Sequence, residues 1–158
     1  DRLDPGTGYG RHEHRAVDVV AVVLSGSLRH RWGEGAELAA GDAAVLRAGA
    51  GLSHDEIAGD DGARVLQCYL RSADPGAAPS HEVHQGPSGW IDLARADARL
   101  WVARAFPGRP LDVPPGLLVL RGVDGVRVAQ QDGGPVEGPG VALVWQLDAA
   151  PPDWARDW

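Results

Sequence analysis

The stretch GRHEHRAVDVVAVVLSG, residues 10–26, sets two imidazoles one residue apart at the mouth of a β-branched apolar run. Such a run reads as a strand over residues 16–24, closed by Ser25-Gly26-Ser27. On a strand, residues i and i+2 project to the same face. His12 and His14 therefore point together and Glu13 points the other way. Paired imidazoles of this kind suit a metal ion, but they also occur on plain strands. A second half-site has to decide.

It lies downstream, in GDAAVLRAGAGLSHDEI, residues 41–57. His54 and Glu56 repeat the i, i+2 arrangement, with Asp55 turned away. Each member of the first pair stands 42 residues before its counterpart, room for the intervening strands of a small barrel. With both ligand faces inward, three imidazoles and one carboxylate converge. That set suits a divalent first-row metal, and an octahedral ion keeps two positions open for water, O₂ or substrate. Gly49 and Gly51 fit a tight reversal that swings His54 inward.

The chain of 158 residues suffices for one compact domain or two very small ones. Its 22 Gly and 12 Pro exclude a long helical bundle. A net charge of −7 argues against a nucleic-acid backbone as partner and against an anionic membrane surface. No apolar run approaches the ~20 residues of a membrane span. The opening DRLDPGTGYG has no signal-peptide pattern, and without an initial Met it implies residues upstream. Cys68 is the single cysteine, reads as a buried small hydrophobe, and fits a reducing compartment such as the cytoplasm.

Short β-rich runs between turn signals predict an all-β chain. LRHRW and the segment around Gly41-Asp42 supply further strands. LSHDEIA and ARVLQCYLRS read as two strands of a hairpin turning at GDDG, residues 59–62. Residues 73–89, rich in Pro, Gly and Ala, read as a linker. Beyond them ARLWVARAF, a hairpin around Val123-Asp124-Gly125, and GVALVWQL repeat the rhythm of strand, Gly-rich turn and strand. WIDLARADARL has some helical spacing, and the tail APPDWARDW fits a short helix, with Trp154 and Trp158 as a minority docking reading. His30 alternates with arginines and reads as a solvated strand face. His81 and His84 read as surface residues of a turn-rich loop.

HEHRAVDVVAVVLSGSLRHR followed by GDAAVLRAGAGLSHDE resembles the pirin family of bicupins over roughly residues 8–83. The family shows an HxHRGFET-type strand, a GD turn and an AGxGxxHxE segment. The resemblance implies two small cupin-type β-barrels: 1–72 with the metal, 73–89 as linker, and 90–158 as a second, degenerate barrel. Having no histidine from Trp90 onward, the second half cannot repeat the site. His12, His14, His54 and Glu56 take the places of the four metal ligands, and Asp18 that of a non-ligating glutamate. The usual RGFET is replaced by Arg-Ala-Val-Asp-Val, which alters the pocket more than the metal set.

What the resemblance implies for function divides in two. One expectation is a dioxygenase acting on a flavonol such as quercetin with O₂, holding Fe(II), with Ni, Mn, Cu, Co or Zn as alternatives. Glu56 then serves as proton acceptor for the substrate hydroxyl. The other is a metal-dependent regulatory binding protein that meets a protein partner without catalysis. Monomer and homodimer both fit.

Overall fold

A computed structural model describes residues 1–148. The expected tail helix, Trp154 and Trp158 lie outside the described residues. Among the described residues there are only strands and turns: no helix occurs in WIDLARADARL, and none is long and apolar enough to cross a membrane. The chain divides into two units between Gln85 and Gly86.

The first unit contains β1 (Arg2–Leu3), β2 (Gly8–His14), β3 (Val17–Arg31), β4 (Ala36–Ala39), β5 (Ala43–Arg47), β6 (Leu52–Arg71) and β7 (Ser80–His84). They form one antiparallel sheet in the order β1-β6-β3-β5-β7, with β2 also paired to β6 and β4 to β3. The composition of residues 73–89 predicts an irregular linker, yet Ser80–His84 pairs along β5 as the sheet's last strand. Alternation explains it: in Ser-His-Glu-Val-His, Val83 packs on the core while Glu82 faces solvent and pairs with Arg47.

Two expected turns are bends instead. Ser25-Gly26-Ser27 does not close a strand, and Gly59–Gly62 does not close a hairpin; β3 and β6 each run through as one long strand. Their pairing breaks step between Val23 and Ser25 and again between Gly26 and Leu28, where Gly59–Gly62 stand opposite Ser27. Gly26 has φ +75, and a Cβ there would lie 2.0 Å from the Gly62 carbonyl oxygen. Only glycine permits so close a crossing at a bulged corner.

The core of this unit is built by Ala21, Val23, Leu28, Leu38, Ala44 and Val65, with a second cluster of Val19, Leu46, Ala48 and Leu52. The β4–β5 turn is held by the Asp42 carboxylate, which accepts the Ala39 amide at 2.8 Å.

The second unit contains β8 (Gly89–Ile91), β9 (Ala98–Ala105), β10 (Leu111–Val113), β11 (Gly116–Gly122), β12 (Gly125–Gln131), β13 (Gly134–Val136) and β14 (Gly140–Leu147). Five of them form a sheet in the order β12-β11-β14-β9-β8, and β10 pairs with β13. The expected hairpin is present, with Gly122 opposite Gly125 across a two-residue loop. Val113, Leu118, Val136, Ala142 and Val144 make its core.

Candidate metal centre

Register explains how the two half-sites meet. At its start β2 pairs Gly8 with Ile57 and Tyr9 with Glu56; after an irregularity it pairs His12 with His54, Glu13 with Ser53 and His14 with Leu52. Between Tyr9 and His12 the chain spends one more residue than β6 does opposite, which is a β-bulge. Without it His12 would stand across from Ser53 and its side chain would turn to the other face. The bulge puts Tyr9, His12 and His14 on the face that carries His54 and Glu56. Gly49 (φ +48) makes the expected reversal before β6, and a Cβ there would lie 2.1 Å from the Ala77 carbonyl oxygen.

His12, His14 and His54 bring ligand nitrogens within 4.8 Å of one another. Their ring centroids lie 4.7 Å (His12–His14), 4.4 Å (His12–His54) and 5.0 Å (His14–His54) apart. Glu56 falls in a second group with His54 and His30, again with all ligand atoms within 4.8 Å. His54 belongs to both.

The donor atoms fit a cation. Nε2 of His14, both ring nitrogens of His54 and Oε1 of Glu56 are buried with no hydrogen-bond partner. Each such orphan costs about 1–3 kcal/mol, so several at one place call for a ligand. Nδ1 of His12 donates to the Gly10 carbonyl at 2.6 Å, which leaves the lone pair on Nε2. Burial, with His12 adding to it and Glu56 opposing, holds the His14 imidazole below its usual pKa. Burial pushes His54 down to about 4; Glu56 opposes the shift, and His12, His30 and His14 add to it. Both rings are therefore neutral at pH 7, the form that binds a metal.

Glu56 is fixed rather than free. Its Oε2 accepts a hydrogen bond from Gln67 Nε2 at 2.7 Å, and Tyr69 donates to Gln67 Oε1 at 3.0 Å. Burial, and then the Glu56 charge, raise the Tyr69 and Tyr9 hydroxyl pKa values. Tyr69 is 56% exposed, and its ring centroid lies 5.9 Å from that of His14.

Residues 1–70 match the family model for Pirin. A Pirin-like protein of Caulobacter vibrioides is 26% identical over 95% of this chain and 77% of its own length. The crystal structure of a bacterial pirin from Escherichia coli in complex with nickel(II) superposes with a TM-score of 0.64 at 18% identity, covering 93% of this chain and 79% of that one. Over its first 70 residues the chain is thus pirin-like. Its all-β architecture fits the cupin fold. Quercetin 2,3-dioxygenase of Escherichia coli is 26% identical over 52% of this chain, a match that spans 37% of that enzyme.

The chain also uses residues whose sequence context assigns them elsewhere. His30 is not a solvated face: it is 1% exposed, directly opposite Glu56 in the β3–β6 register. His81 is not a free surface residue: its Nε2 lies 3.2 Å from His30 Nδ1, and the two rings stack at 15° with centroids 5.2 Å apart. Burial pushes His81 down to about 4, His30 adding to the shift and Glu56 opposing it. His84 is partly buried, 3.8 Å from the Glu82 carboxylate. A signal was available: His30 shares strand parity with Leu28, and His81 with Val83, both of which face the core. Asp18 is buried on β3.

Proposed function

We propose that this chain binds one divalent transition metal through His12, His14, His54 and Glu56 and acts as a dioxygenase on a flavonol such as quercetin, with O₂ as co-substrate. The observation that carries the reading is the trio of imidazoles, gathered on one face with unsatisfied nitrogens and with His12 and His14 only half-buried. Such a set holds an ion while leaving one side open to a small molecule.

A bound ion of this type supplies Lewis-acid stabilisation of an oxyanion and a route for O₂ chemistry. The chain supplies the rest. His14 and His54 stay neutral at working pH, and Gly10 fixes the His12 tautomer. Glu56, anchored on one oxygen by Gln67, keeps Oε1 to accept the proton of the flavonol 3-hydroxyl. Tyr9 and Tyr69 flank the histidines, their rings 6.4 Å from His12 and 5.9 Å from His14, and offer aromatic walls to a flat substrate.

Oxygen consumption and carbon monoxide release are measured with quercetin and Fe(II)-loaded protein, beside a His54→Ala variant. Turnover well above the variant is expected. Uptake no greater than the variant's removes the flavonol reading.

A second reading, the metal-dependent regulatory binding protein, has an observation of its own. A cleft of about 690 Å³ on the first unit is lined by Arg11, Arg29, Arg31, Trp32 and Ser53, among others. Arg29 and Arg31 flank His30 on β3 and face the opposite side, where Glu34 and Glu37 also line the cleft, so one strand touches both the metal set and a charged surface. Failure of the oxygen assay with metal binding intact favours this reading.

A further inference from the structure

Around His54 the donor atoms form two groups, and the inner one contains a residue outside the family's ligand pattern. His30, His54 and Glu56 are 1%, 1% and 0% exposed. Nε2 of His30 lies 2.9 Å from Oε1 of Glu56, yet neither atom has a hydrogen-bond alignment with any partner. Nδ1 of His54 is 3.8 Å from the same oxygen. Two donors held cis on one octahedral ion, each at about 2.1 Å, stand about 3 Å apart. The spacing of His30 and Glu56 is of that size.

Both side chains are aimed from behind. His81 stacks on His30 and faces its Nδ1, which directs Nε2 toward Glu56. Gln67 occupies Oε2 of Glu56, which leaves Oε1 as the donor.

We propose that His30, His54 and Glu56 form a second, deeper position for a divalent cation, beside the outer position of His12, His14, His54 and Glu56 and sharing His54 and Glu56 with it. The two are alternatives for a single ion, because a neutral imidazole has one lone pair. Their chemistry differs. The outer set, with three imidazoles, is the richer in nitrogen and suits the later first-row ions, whereas two imidazoles and a carboxylate are the donor set of non-haem Fe(II) sites. The inner position deepens the metal reading above and rests on it for the role of His54 and Glu56.

Isothermal titration with Co(II), read together with the visible absorption of the bound ion, tests this on the full chain. The variant His12→Ala/His14→Ala removes the outer imidazoles from a half-buried strand and keeps the inner set. It is expected to retain one Co(II) per chain, with an unchanged far-UV spectrum. Adding His30→Gln to it is expected to weaken binding more than about 100-fold, beyond the range of lost outer-sphere support. Glutamine can still donate a hydrogen bond to Glu56, so a merely supporting His30 would tolerate the change. In the otherwise unaltered chain His30→Gln is expected to leave one Co(II) bound through His12, His14, His54 and Glu56.

If the unaltered chain binds Co(II) and the folded double variant binds none, the inner position is overturned and the outer one stands. Equal affinity of the double and triple variants also overturns it. An unaltered chain that binds no Co(II) overturns both positions.

Discussion

The two units share strands, turns and size but not what they bury. Among the described residues, the buried histidines and carboxylates lie in the first unit: Asp18, His30, Asp42, His54 and Glu56. The second unit buries apolar residues, such as Leu100, Val102, Leu118 and Leu143. Unsatisfied imidazoles are thus no requirement of this kind of fold. The first unit gathers unsatisfied donor atoms at one place, around His54, whereas in the second Arg121 Nε and Trp145 Nε1 are such atoms on different strands.

The sharpest way to break that comparison is His54→Ala. It deletes the donor common to both groups, and Co(II) affinity should fall by well over about 100-fold in a titration. If affinity survives, the polar interior of the first unit needs another explanation. Next in size is Leu100→Ala in the second unit, expected to cost about 2–5 kcal/mol in urea unfolding. Metal affinity should not change, since Leu100 belongs to the unit without donors.

Acid should separate the units as well. His54 and His81 are both held near pKa 4 when folded, against about 6.5 in the unfolded chain. Between those values the unfolded chain binds protons that the native chain does not, so stability is complete above about pH 6.5 and declines as pH falls toward 4. The loss is on the order of 3 kcal/mol for His54 and less for the partly exposed His81. Thermal unfolding of the metal-free protein from pH 7 to 4 measures it, and His81→Gln should flatten the slope. The second unit has no histidine and adds none of this slope. Smallest is Tyr69→Phe. It removes a hydrogen bond at a side chain that is mostly exposed, so stability should change by less than about 1 kcal/mol in the same unfolding assay.

Much of this was legible in the residues. The strand alternation around His12/His14 and His54/Glu56 put each pair on one face, and the turn chemistry of Val123-Asp124 placed a reversal correctly, while Gly41-Asp42 links two strands that both run antiparallel to β3. What escaped depended on partners distant in sequence. Ser25-Gly26-Ser27 and Gly59–Gly62 look like turns because local signals do not distinguish a chain reversal from a bulged corner. The arginines beside His30 made its strand look solvated, although Leu28 already marked the inward parity. Local composition likewise hid β7, whose strand exists because β5 offers it an edge.

The single extra residue in β2 carries a consequence for how such a centre is gained or lost. Removing Arg11 would even the count between Tyr9 and His12 against that between Glu56 and His54, so His12 would still stand opposite His54, whereas removing Glu13 would turn one of the two β2 imidazoles to the opposite face. The candidate donors thus depend on a count of residues, and a three-nucleotide deletion at Glu13 would separate them without altering any of the four side chains.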